Sequence, residues 1–140
     1  MIPEFRKKYF FLSNFYMCTV IYNGIIYTSS EAAYQAQKTL DNSERIRISK
    51  LEPEYAKQEG RKLACRKDWE EVKLDEMYKI CKIKFSLNPN LQRRLLETGN
   101  EELVEGNDWD DTFWGVCNGK GENHLGKILM RIREELSCWQ

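Results

Sequence analysis

Hydrophobic positions recur most regularly near the end of the chain. Leu125, Ile128, Leu129, Ile132 and Leu136 fall at i, i+3, i+4, i+7 and i+11, which predicts an amphipathic helix starting at Asn123 and packing one stripe into a core. Upstream, Val72, Met77, Ile80, Cys81 and Phe85 follow the same period, from the apparent capping box Asp68-Trp69-Glu70-Glu71 to about Leu87. Asn88-Pro89 opens a further helix that stops at Thr98-Gly99. Two shorter helices precede these. One is capped by Ser43 and runs through Leu51, and one has Pro53 in its first turn and ends at Gly60. Alternation replaces the helical period only in Val20–Tyr27, where Asn23-Gly24 predicts a type I′ hairpin. The pattern describes a mainly α, compact multihelical single domain, residues 1–140, with a small N-terminal β-hairpin.

The hairpin leads into Tyr27–Lys38, where the polar residues matter more than the apolar ones. Glu31, Gln35 and Lys38 lie at i, i+4 and i+7, so on a helix they fall within roughly 40–60° of one another. A carboxylate, an amide and an amine then share one face, beside small alanines that leave room for a ligand. The alternative is structural: Thr28-Ser29-Ser30-Glu31 is also a capping box, and Glu31 and Lys38 also read as an ordinary solvated pair. Residues 105–123 fit neither period. They combine turn formers with Trp109 and Trp114, and so long a loop in a small domain is usually functional or disordered. The two tryptophans argue against disorder. Residues 9–16 are dense in aromatics around Ser13-Asn14, where Asn14 either ties the loop together or faces a ligand.

Composition narrows the chemistry. The chain has 140 residues, 41% hydrophobic and 31% charged, with 22 basic and 22 acidic side chains in balance. Charge-driven duplex binding calls for a more basic surface. No apolar run is long enough to span a membrane, and the start of the chain lacks the apolar core of a signal peptide, so a cytoplasmic protein is expected; a monomer is expected too. The five cysteines never form a C-x-x-C pair and read as reduced thiols. With one histidine, His124, catalytic triads and His-rich metal centres are nearly excluded. Chemistry must come from carboxylates, amines, amides and aromatics, with no metal or cofactor.

Several blocks in order resemble one known family. They are Phe11-Leu-Ser-Asn-Phe-Tyr16, Tyr27-x-x-x-Glu31-x-x-Tyr34-Gln35-x-x-Lys38, Ala56-Lys57-x-x-Gly60-Arg61, Asp68-Trp69 and Lys84-Phe85. Then follow Leu95-Leu-x-Thr98-Gly99, Leu103-x-Glu105, Asn107-x-Trp109-x-Asp111-x-x-Trp114-Gly115 and Gly121-x-Asn123-x-Leu125-Gly126. Together they resemble the NADAR, or YbiA-like, domain. Histidine often follows the motif glutamate in that family, where this chain has Ala32.

The resemblance implies N-glycosidase chemistry on a ribosylated or ADP-ribosylated base, either ADP-ribosyl-guanine or a riboflavin-pathway intermediate. The partner would be a small nucleotide-like molecule, or a modified base within DNA or RNA. A binding module that senses ADP-ribose or NAD without turnover is the alternative. Breaking a nitrogen–ribose bond builds positive charge on the sugar and negative charge on the base. On this reading Glu31, Lys38 and Asp111 are catalytic, with Lys38 as nucleophile, acid or phosphate anchor. Trp69, Trp109 and Trp114 would stack on the base, Asn14 and Gln35 would bond the ribose or base edge, Arg61 would meet a phosphate, and Gly115 would let the loop backbone approach the ligand.

Overall fold

A computed structural model describes residues 1–138 and is mainly helical. The chain divides into two compact units, Asn14–Asn88 and Met1–Ser13 with Pro89–Gln140.

The Asn14–Asn88 unit opens with the hairpin: strand β1, Met17–Tyr22, pairs antiparallel with β2, Ile25–Ser29. Asn23 and Gly24 connect them at φ 50° and 81°, both left-handed, as a type I′ turn requires. Asparagine and glycine tolerate that region where branched residues do not. Val20, Tyr22 and Tyr27 turn inward while Met17, Ile21 and Ile26 are exposed, so the hairpin covers the core with one face.

Helix α1, Ser30–Ala36, follows β2 without a loop, and all seven of its residues are buried. It is therefore the central element of this unit. Helices α2 (Asn42–Ser49), α3 (Pro53–Lys62) and α4 (Trp69–Leu87) pack around it. Ala32, Ala33 and Ala36 are fully enclosed, and their short side chains let the surrounding backbones approach. From α4, Met77, Ile80, Cys81 and Phe85 enter the core, as their period predicts; Val72 is half-buried.

Several caps differ from the sequence expectation. Ser29, not Thr28, caps α1, its Oγ accepting from the Ala32 N–H at 3.0 Å. Thr28 instead donates its hydroxyl to the Leu51 carbonyl at 2.7 Å. Asp41, not Ser43, caps α2, accepting from the Ser43 N–H at 2.9 Å. Asp68 stands at the start of α4, but its carboxylate meets the Arg66 guanidinium at 2.6 Å rather than a helix N–H. A charged fork two residues away outcompetes the backbone donors.

In the other unit a 3-10 helix, Lys7–Leu12, buries Phe11 and Leu12. Helices α5, Pro89–Glu97, and α6, His124–Ser137, pack on each other. The expected stripe Leu125, Ile128, Leu129, Ile132 and Leu136 is buried. Asn123 precedes α6 at φ 53° and makes no side-chain cap. Its amide spans two backbones instead, accepting from the Glu105 N–H and donating to the Leu103 carbonyl, each at 2.9 Å. The 105–123 segment is ordered around a short parallel pair, β3 (Gly106–Asn107) and β4 (Val116–Cys117).

Candidate functional site

Within the Asn14–Asn88 unit the polar line on α1 is real and enclosed. Glu31 is 8% exposed and Gln35 5%. The Gln35 Nε2 donates to Glu31 Oε2 at 2.6 Å, a short charge-assisted bond between i and i+4. A carboxylate this buried would be costly to hold without such a donor. Glu31 also donates its backbone N–H to the Asn14 carbonyl at 3.1 Å.

Asn14 has structural partners of its own. Its Oδ1 accepts from the Ser30 hydroxyl at 2.8 Å, and its Nδ2 points at the Met77 sulfur at 3.5 Å. It ties the segment before β1 to the start of α1 and the middle of α4.

Helix α1 stops at Ala36, so Lys38 lies in the following turn rather than on the helix itself. Its N–H still donates to the Gln35 carbonyl at 3.2 Å. From the other side, the Arg66 N–H donates to the Lys38 carbonyl at 2.7 Å, which fastens the turn to the segment between α3 and α4. The amine is half-buried, and this loss of water pulls its pKa below the ordinary lysine value. Cys65 and Glu31 oppose that shift, while Arg61 and Lys57 add to it. Lysine's ammonium thus stands among one carboxylate, one thiol and two other cations. From sequence Lys57 stands only within a motif and Cys65 only as one of five reduced thiols, and neither is expected at the site. The spacing of Lys57 and Arg61, four apart on one helix, was a usable signal; Cys65 offered none.

Trp69 is buried and its ring lies 5.2 Å from that of Tyr34, at 51°. It packs α4 on α1. Arg61 is exposed on α3. These residues, with Glu31, Gln35, Lys38 and Asn14, belong to one unit.

Asp111, Trp109, Trp114 and Gly115 belong to the other unit. Asn107 organises their loop: its Oδ1 accepts from the N–H groups of Trp109 at 3.3 Å and Asp111 at 3.0 Å, and its Nδ2 donates to the Asp111 carbonyl at 2.8 Å. The Asp111 carboxylate accepts from the Phe113 and Trp114 N–H groups at 3.2 and 2.9 Å. The ring of Trp114 meets Phe113 edge-on at 4.8 Å and stands 6.4 Å from His124. Trp109 is half exposed, a large apolar ring turned to solvent. Gly115 is buried where a Cβ would strike Glu105, so no larger residue fits. Asn107 was quoted only within a motif; its role as the loop's hub is visible only in three dimensions.

A short buried helix presenting a paired carboxylate and amide, with a desolvated amine at its end, defines a polar site in a mainly α protein. The NADAR domain family model matches residues 4–137, and the chain belongs to that family. It is 41% identical over 132 residues to riboflavin biosynthesis protein VVA0006 of Vibrio vulnificus (strain YJ016), covering 90% of this chain and 35% of that protein. It is 38% identical over 129 residues to N-glycosidase YbiA of Escherichia coli (strain K12), covering 89% of this chain and 80% of that one. The NMR structure of E. coli YbiA superposes with a TM-score of 0.86 at 34% identity, over 99% of this chain and 88% of the other. The mainly helical fold with a small hairpin is therefore the fold of YbiA. The chain spans only about a third of the length of the Vibrio protein but most of YbiA.

Proposed function

We propose that the chain is an N-glycosidase that hydrolyses the bond between a base and the ribose of a ribosylated or ADP-ribosylated compound. Kinship with proteins named N-glycosidase supports a hydrolase of N-glycosyl bonds. Relatives named for riboflavin biosynthesis support a ribosylated pathway intermediate as one substrate class; ADP-ribosyl-guanine, free or within DNA or RNA, is the other. The family match runs through both units, so residues 1–140 are read as one functional domain.

One observation carries the chemistry: a buried carboxylate, Glu31, electrostatically coupled to a partly desolvated amine, Lys38. As the bond between the anomeric carbon and the base nitrogen breaks, its electron pair stays with the base and the carbon becomes cationic. Glu31 stabilises that cation. Lys38 either passes a proton to the departing base or, when neutral, bonds to the anomeric carbon as the base leaves: its amine proton goes to the base, the ring C–O bond opens to give an imine, and water hydrolyses the imine to free the lysine. In both routes water supplies the new oxygen at the anomeric carbon. Asp111, Trp109 and Trp114 are proposed as further carboxylate and stacking groups, with Arg61 for a phosphate.

The test incubates pure protein in ¹⁸O-water with ADP-ribosylated guanosine and, separately, with a ribosylated pyrimidine. Hydrolysis is expected to release free base and a sugar carrying one ¹⁸O. If neither substrate is cleaved while ADP-ribose still raises the melting temperature, the chain is a sensor and the enzymatic reading is wrong.

A further inference from the structure

Gln35 was expected to meet substrate, yet one side of its amide is already committed. Its Nε2 donates to Glu31, and its Oε1 is buried with no hydrogen-bond partner. Rotating the amide by half a turn would not help. It would set Oε1 against the Glu31 carboxylate, two acceptors facing each other, unless Glu31 carried a proton. The observed orientation is the one an ionised Glu31 demands, and it leaves the oxygen unbonded.

Gly60 explains where that oxygen sits. A Cβ built at Gly60 would overlap Gln35 Oε1 and crowd its Cδ and Cβ. Gly60 lies within helix α3 and is buried. Its backbone is not left-handed, so conformational freedom is not the reason for glycine; alanine would be the better helix former. Close approach is the reason. The α3 backbone forms a wall behind the amide and holds it toward Glu31.

We propose that Gln35, backed by Gly60, is the positioning residue of Glu31: it fixes the rotamer of the carboxylate, favours its charged form, and acts on the substrate only through it. The proposal deepens the N-glycosidase reading, and only its kinetic arm rests on that reading. Lys38 bears on the same carboxylate, and other titratable groups stand near the two ends of α1. Lys38, with Lys57, Arg61 and Cys65 around it, forms the electrostatic surroundings of the α1 end. Arg45 of α2 donates to the Thr39 carbonyl, and Cys81 of α4 reaches the start of α1 through Asn14. All of these are unchanged in the variants below, so a difference between variants reports the amide.

The experiment labels glutamate carboxyls with ¹³C, assigns the Glu31 signal by its loss in Glu31→Gln, and titrates it in the folded protein. Gln35→Met keeps the volume and removes the donor; Gly60→Ala keeps both polar groups and displaces the amide. Loss of a donor to the carboxylate favours its protonated form. The Glu31 midpoint is expected to rise by about one pH unit in Gln35→Met and by less, in the same direction, in Gly60→Ala. On whichever substrate the wild type cleaves, kcat is expected to fall about 10-fold or more with KM within about twofold. A midpoint that stays in place in both variants overturns the proposal. So does a raised KM at unchanged kcat, which would make Gln35 a substrate contact. The titration needs no turnover, so a wild type that cleaves nothing would sink the N-glycosidase reading and leave this one standing or falling on its own result.

Discussion

Lys38 shows how one residue's cost points to its use. Burial disfavours its charged form, and Arg61 and Lys57 make the ammonium less welcome still. Its folded pKa is therefore below the ordinary 10.5, and between those two values the unfolded chain binds more protons than the folded one. Stability contributed at this position rises with pH across that window and is lowest below it. Lys38→Met has no such dependence. The difference in melting temperature, variant minus wild type, is expected to shrink as pH is raised from 7 toward 10.5, measured by thermal unfolding in matched buffers. A difference that widens over that range would contradict the burial argument. A group that lowers stability when charged suits a lysine that must be able to lose its proton.

At the scale of elements, capping separates what sequence carries from what only packing decides. Removing the Ser29 hydroxyl strips α1 of its cap, and Ser29→Ala is expected to cost about 1 kcal/mol. Asn123→Ala should cost more, about 2–3 kcal/mol, because it deletes two backbone bridges and places alanine at φ 53°. Chemical denaturation of both variants checks the order; a larger loss in Ser29→Ala would contradict it. The hairpin was legible because Asn23-Gly24 fixes a turn by local sterics alone. The α6 stripe was legible because its period is strict. Thr28, Ser29 and Ser30 are all competent caps, so the sequence could not choose among them. Asp68 and Asn123 were drawn from capping by partners the local pattern does not reveal: Arg66 in one case, backbone twenty residues away in the other. The i,i+4 pair Glu31–Gln35 followed from the helical period, whereas the end of α1 at Ala36 left Lys38 in a turn. Lys57 shares a helix face with Arg61, four residues on, whereas Cys65 joins the site by tertiary approach, which no spacing encodes.

Across the whole molecule, charge and kinship both bear on the proposed chemistry. A balanced charge offers no general field for duplex nucleic acid, so recognition must be local, through single cations and aromatic faces. Such groups suit a nucleotide-like molecule in which one bond is to be cut. The fold is that of YbiA, and the ordered blocks that resemble the NADAR family, Phe11 to Gly126, fall within the residues 4–137 that the family match covers. On the proposed function, Glu31 and Lys38 perform N-glycosyl cleavage. Its most direct test is base release by wild type, Glu31→Gln and Lys38→Met under single-turnover conditions, each first shown to be folded by its melting curve. Release by the wild type is expected, with a loss of about 100-fold or more in both variants. Release at the wild-type rate from either folded variant would contradict it.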